Sequence, residues 1–309
     1  NGGTCSPSMI MSPSLRIVAC WYRIPIRPSK ATRSAGCPGV THLSFFLTMD
    51  CRTDRTELLE HYRDASNLAK RANLHRDYST GSRGWGAWLF DHLDYPQGAR
   101  ILEVGCGAGW LWSSTDRPET LGWSPTLSDL SAGMVAEARS TLGSRACFRF
   151  LSADSQRLPF PDETFDGLLS CHMLYHVPDR PRAIAEFRRV LRPGGRLMVA
   201  TNGNRHLLEL WGSIAGVIGA PPKVSSWHNF GLENGAGQLA EFFQDVTLAR
   251  FPDGLVVPEA EPLVDYARST ERLDESQLGR LRDIFEHQLS TSGPIHIQKD
   301  SGLFSASKV

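Results

Sequence analysis

The run Ile101-Leu102-Glu103-Val104-Gly105-Cys106-Gly107-Ala108-Gly109 constrains this chain more than any other feature. An apolar, acid-tipped strand runs straight into three glycines at alternate positions. Such a turn needs backbone conformations and close approaches that a Cβ would obstruct, which is the use glycine has beside a bound nucleotide-like ligand. Twenty residues past Gly109 stands Asp129, in Leu127-Ser128-Asp129-Leu130. That spacing suits an acid at the end of a second strand that grips a ribose. The pair points to a nucleoside cofactor on an open α/β sheet.

The remaining pattern agrees with such a sheet. Strands are expected at 100–104, 126–128, 147–151, 165–170 and 196–201, with helices at 110–114, 132–142 and 180–191 between them. Apolar residues at helical spacing over 54–76 and around Trp85, Trp88 and Leu89 predict lid helices before the first strand. Strand–helix alternation with short loops argues a doubly wound, mostly parallel α/β sheet, with ligands at the carboxyl ends of its strands. Past Thr201 the reading is a helical cap over the site plus the last strands. Helices are expected near 207–218, 238–243, 261–269 and 275–289, a strand at 246–251, and two strands around a turn at 295–304.

Composition removes some partners. The 309 residues hold 33 basic and 33 acidic side chains, so no basic excess invites nucleic acid or an anionic membrane. No apolar run reaches about 18 residues, the length of a transmembrane helix. The seven cysteines include no C-x-x-C pair, which suits neither a zinc site nor a disulfide framework and fits a reducing cytoplasm. Residues 1–48 carry five basic residues and no acid. They read as an extension, either a targeting arm or sequence ahead of a start at Met49, and stand apart from a domain over 49–309 with its cofactor core at 98–202 and cap and last strands at 203–309.

Five motifs in order carry a resemblance. They are Glu103-Val104-Gly105-Cys106-Gly107-Ala108-Gly109; Ser128-Asp129-Leu130-Ser131-Ala132-Gly133-Met134; Ala153-Asp154 with Leu158-Pro159-Phe160-Pro161-Asp162-Glu163-Thr164-Phe165-Asp166; His176-Val177-Pro178-Asp179; and Leu191-Arg192-Pro193-Gly194-Gly195. Residues 54–306 resemble class I S-adenosylmethionine-dependent methyltransferases of the small-molecule type related to the ubiquinone/menaquinone enzymes. The resemblance implies a Rossmann-like seven-stranded sheet and S-adenosylmethionine as cofactor. It excludes nicotinamide-dependent relatives, which want G-x-G-x-x-G where this chain has Trp110. Nucleic-acid methyltransferases of the fold usually carry an N-P-P-Y-like tetrapeptide where this chain has Ser170-Cys171-His172-Met173.

By resemblance, Gly105, Cys106, Gly107 and Gly109 form the turn at the cofactor's methionine part, supported by Glu103. Asp129, beside Leu130, takes the ribose hydroxyls, and its bland alternative is an N-cap. Asp154, between Ala153 and Ser155, meets the adenine amine, and Ser170 and Cys171 flank the sulfonium. Trp110 and Met134 line the pocket or the core beside it, and Tyr78, placed where relatives have a lid, either touches the cofactor's carboxylate or the acceptor or packs as a lid aromatic. His172, Tyr175 and His176 are candidates for a base if the acceptor must lose a proton, with His172 placed first. His172 and His176 stand four apart, yet no acids accompany them, so no metal is expected. Trp211, Trp227, His228, Asn229 and Phe230 are candidates for the acceptor pocket or for cap packing. A small-molecule methyltransferase is the expectation; the alternative is a protein that binds the cofactor or its demethylated product without turnover.

Overall fold

The computed structural model describes residues 55–219 and 228–309. The extension at 1–48 and Trp227 lie outside the described residues. Seven strands form one sheet in the order β3-β2-β1-β4-β5-β9-β6. They are β1 (Arg100–Val104), β2 (Ser124–Asp129), β3 (Arg149–Ser152), β4 (Phe165–Cys171), β5 (Leu191–Asn202), β6 (Gln244–Phe251) and β9 (Ser301–Ser307). The pairs β1–β2, β1–β4, β2–β3 and β4–β5 are parallel, while β9 runs antiparallel to both β5 and β6. A second sheet pairs β7 (Gly254–Val257) with β8 (Ile295–Gln298).

Strand periodicity sorts the core into two layers. Leu102, Leu168, Leu197, Val199 and Phe304 face one cluster, with Ile184, Phe187 and Leu239 above them. Ile101, Leu169, Met198, Ala200 and Leu303 face the other, with Leu89, Phe90, Trp112 and Phe148. Adjacent residues of one strand thus enter opposite layers, as a sheet covered on both faces requires. The first layer rests on α7 (Arg180–Val190) and α9 (Gly235–Ala240), and the second on α3 (Trp85–His92), α4 (Trp110–Ser113) and α6 (Ala132–Leu142). A third cluster is the cap. It joins Leu74 of α2 (Ser66–Tyr78) to α8 (Leu208–Ile218), α10 (Glu261–Thr270), α11 (Glu275–Ser292) and the small sheet.

The sequence reading needs three corrections. The lid pattern over 54–76 is two helices, α1 (Arg55–His61) and α2, not one. Asp64 Oδ1 accepts from the Ser66 N–H (3.0 Å) and hydroxyl (2.6 Å), and this local bonding displaces the helix ladder. The two strands around residue 300 do not pair with each other. β8 buries alternate residues against the cap alone, whereas β9 is apolar or small on both sides and fits only inside the large sheet. Finally, α5 (Arg117–Thr120) and β7 were not foreseen, being four residues each.

The order in which strands are added reverses between the parallel neighbours β1 and β4: β2 and β3 extend the sheet one way, and the rest extend it the other. The carboxyl ends of β1 and β4 therefore open on a shared crevice, the usual ligand position in such a sheet. The lid reaches this crevice through Arg55 on Asp154 and Leu68 beside Gly107, and the cap packs on lid helix α2.

Candidate cofactor and acceptor site

The glycine turn has the conformation its sequence requires. Gly105, Gly107 and Gly109 have φ of +77°, +54° and +75°, all left-handed. Each has a separate steric reason as well. A Cβ on Gly105 would stand 2.7 Å from Cγ of Met173, and one on Gly109 would stand 3.0–3.3 Å from Leu142 and Ala138 of α6. One on Gly107 would touch Leu68 of α2 at 3.4 Å. The outer two glycines thus serve packing of β4's sequel and α6, and Gly107 faces the lid. The Gly105 and Cys106 N–H groups both donate to Ser128 O (2.8 and 3.0 Å), tying the turn to β2.

Asp129 ends β2 and meets this turn. Its Oδ2 accepts from Gly107 N–H (3.0 Å) and its Oδ1 from Ser131 N–H (2.9 Å). Burial raises its pKa, against the hydrogen bonds from Ser131, Gly107 and Leu130. The N-cap of α6 is Ser131, whose hydroxyl accepts from Met134 N–H, so Asp129 is not itself the cap. A carboxylate offers about four acceptor positions. With Gly107, Ser131 and Leu130 engaged, one remains for a hydroxyl donor, so the residues present fit a ribose hydroxyl at this point. Leu130 is half-buried, while Met134 is 1% exposed and so offers almost no surface to a ligand.

Glu103 is turned inward. It is 2% exposed and accepts from Trp112 Nε1–H (2.6 Å), and burial pushes its carboxyl up to about 8 despite that bond. The visible partner of Glu103 is thus the core indole of Trp112, whereas Trp110 is only half-buried. Asp154 follows β3. Gln156 donates to it through backbone and side chain (2.9 and 3.0 Å), and Arg55 of α1 donates at 2.7 Å. Burial raises the Asp154 pKa, but these bonds outweigh it and leave the carboxyl below its usual range. Ala153 donates its N–H to Asp129 O (2.9 Å), and Ser155 is buried beside it. Ser170 and Cys171 close β4, Ser170 fully buried and Cys171 half-buried.

His172 follows directly. Its φ of +52° is rare for a side chain with a Cβ, and its N–H is held by Ala200 O at 2.9 Å. The ring packs on Trp85 (5.3 Å), and burial together with Lys299 pushes it down to about 4, so it is neutral at pH 7. His176 goes elsewhere: it packs on Tyr62 and Tyr175, with Nε2 3.3 Å from the Tyr62 hydroxyl. Tyr175 touches both the cap cluster and the sheet cluster. Among the described residues no three metal-ligating side chains gather.

The acceptor candidates separate. Trp211 is 6% exposed and packs edge-on to Tyr266, inside the cap core. Phe230 is fully buried against Phe304. Both pack rather than line a pocket. His228 is exposed, and Asn229 donates to Tyr175 O at 3.4 Å. Tyr78 bonds Glu259 at 2.5 Å. In their place the structure gathers residues not foreseen: His75 of α2, His206 after β5, and Lys299 between β8 and β9. The His75 and His206 rings are 5.9 Å apart. Burial, then Lys299, pushes His75 down to about 3, and burial, then His75, lowers His206 well below its usual range. Lys299 is buried with Asp253, which also accepts from Ser79 Oγ and Gly81 N–H (both 2.8 Å). No periodic or motif signal marks these positions, because they converge from four separate segments.

Residues 102–199 match the methyltransferase domain family. Methyltransferase GfsG of Streptomyces halstedii is 34% identical over 119 residues, covering 36% of this chain and 41% of that protein. The ubiquinone/menaquinone biosynthesis C-methyltransferase UbiE of Hahella chejuensis is 34% identical over 120 residues, 38% of this chain and 48% of that one. The chain therefore spans less than half the length of these two relatives. The malonyl-[acyl-carrier protein] O-methyltransferase of Erwinia pyrifoliae is 30% identical over 196 residues, 62% of this chain and 71% of that protein. Among solved structures, the YcgJ protein of Bacillus subtilis shares the fold with a TM-score of 0.51 at 16% identity, over 72% of this chain and 97% of that one. With the glycine turn, Asp129 and the seven-stranded sheet in place, these matches show that the chain belongs to the class I S-adenosylmethionine-dependent methyltransferases.

Proposed function

We propose that this protein is an active enzyme that moves the methyl group of S-adenosylmethionine onto a small-molecule acceptor by in-line displacement. The observation that carries the reading is His172: a neutral, left-handed histidine placed directly after β4, with its ring packed on Trp85 of the lid. Bound S-adenosylmethionine would supply a methyl already activated on a sulfonium. The residues then have mainly to align, and orientation can contribute about 7–11 kcal/mol. Asp129 would fix the ribose, Asp154 the adenine amine once released by Arg55, and Gly105 to Gly109 with Ser170 and Cys171 the methionine end. Neutral His172 would accept a hydrogen bond from the acceptor's O–H or N–H and aim its lone pair. The cap helices would exclude water. On this reading residues 98–202 form the cofactor core and 203–309 add the cap and last strands, in a cytoplasmic protein.

Supporting this, the helices past β5 pack with α2 into a compact cap, and the chain carries no net charge, a poor match to nucleic acid. Among the described residues no helix is long and apolar enough to cross a membrane. The names of the relatives cover carbon and oxygen acceptors, so the accepting atom is set by this site rather than by the family. The test is transfer of tritiated methyl from S-adenosylmethionine, with a cell extract divided into small-molecule, protein and nucleic-acid fractions. Label in the small-molecule fraction, reduced at least tenfold in His172→Ala, is expected. Cofactor binding without transfer to any fraction would instead make this a non-catalytic binding protein.

A further inference from the structure

Along α2, Leu68, Arg71 and His75 succeed one another at helical spacing on one face. Leu68 reaches the glycine turn, and His75 meets His206 and the ring of Tyr266. Arg71 lies between them. Its Nε donates to Asn67 O at 3.2 Å, and its guanidinium stands 5.5 Å from the centre of the Tyr62 ring. Its Nη2 is buried and has no hydrogen-bond partner. The side chains that act on it most are the tyrosines Tyr62, Tyr266 and Tyr175, Tyr62 also through a hydrogen bond, and among the described residues it makes no ion pair with a carboxylate.

A buried guanidinium without a counter-charge is costly to a fold, and chains keep such groups where a ligand completes them. The neighbours do not supply the missing charge. Lys299 is already balanced by Asp253, and the three histidines are neutral. Among the described residues of this cluster, one positive charge is left over. Tyr266 lies on cap helix α10 and Tyr175 follows β4, so Arg71 stands where α2 meets the cap, beyond Leu68 from the glycine turn.

We infer that Arg71 receives a carboxylate of the methyl acceptor, so that the substrate is a small organic acid held between the tyrosine rings and the histidine cluster. A single charge with an open N–H matches a carboxylate, whereas a phosphate dianion would call for further donors. The inference rests on the proposed methyl transfer at this site.

The test uses benzoate as probe and benzamide as its neutral counterpart, titrated calorimetrically into the full chain with and without S-adenosylhomocysteine. Benzoate should bind wild type at least tenfold more tightly than benzamide. Arg71→Gln should abolish the difference, Arg71→Lys should retain part of it, and the affinity for S-adenosylhomocysteine should stay unchanged. Equal binding of the two probes by wild type overturns the inference without recourse to any variant. So does an Arg71→Gln protein that weakens S-adenosylhomocysteine tenfold but leaves 5′-methylthioadenosine unchanged, because the carboxylate is then the cofactor's. If the folded chain binds no S-adenosylhomocysteine, the proposed function fails, while the benzoate titration without it still decides the role of Arg71.

Discussion

Glu103→Gln should stabilise this protein, and increasingly so as pH rises. Glu103 is buried at 2% exposure, and its one visible partner is the Trp112 indole N–H, which donates equally well to a glutamine carbonyl oxygen. Burial holds the folded-state pKa at about 8, above the ordinary 4.5. Between those values the native state binds a proton that the unfolded state has lost. Stability is therefore fully present below pH 4.5 and declines until pH passes 8. Integrated over that window, the loss is roughly 1 kcal/mol at pH 5, 3 at pH 7 and 4 at pH 8. Glutamine pays none of it. The assay is urea unfolding of both proteins from pH 4 to pH 9, where the gap should open along that curve; at pH 7 it corresponds to a rise in Tm of roughly 6–12 °C. A gap that does not change with pH, or a variant less stable than wild type at pH 8, would refute the reasoning.

Gly105→Ala should destabilise by about 2–4 kcal/mol in the same assay, because it combines a left-handed alanine with a Cβ driven into the root of the Met173 side chain. Lys299→Met should cost about 3–5 kcal/mol by leaving Asp253 buried and unpaired, and a double variant that also replaces Asp253 by Leu should recover much of it. Arg55→Ala should leave stability within about 1 kcal/mol, since Arg55 is mostly exposed, yet tighten cofactor binding by up to about fivefold in calorimetry by freeing Asp154.

The glycine turn, Asp129, the helix at 132–142 and the order of the first five strands were legible because each rests on local physics: left-handed glycines, an acid at a strand end, a 3.6-residue apolar period. The partners of these residues were less so. Glu103 read as the acid supporting the glycine turn, and its visible partner, the Trp112 indole on α4, was not marked in the spacing. Trp211 and Phe230 read equally as pocket or packing aromatics, since an aromatic in a variable region carries no mark of which side it packs on, and both prove to pack. Arg71, His75, His206, Lys299 and Asp253 come from α2, the segment after β5, and the turns before β7 and β9. Only the assembled cap brings them together, and nothing in their spacing announces it. The fate of β8 and β9 was hidden for the same reason: a turn between two strands fixes their proximity but not the sheet each joins.

The central claim is that the crevice at β1 and β4 binds S-adenosylmethionine through Asp129. It is tested most directly by calorimetric titration of the full chain and its Asp129→Ala variant with S-adenosylmethionine, with a nicotinamide dinucleotide as control. Binding by wild type, weakened at least tenfold in the variant, is the expected result, since each charged hydrogen bond to the ribose is worth roughly 1.5–3 kcal/mol. Equal affinity in a folded Asp129→Ala protein, or binding of the dinucleotide in place of S-adenosylmethionine, would contradict the account.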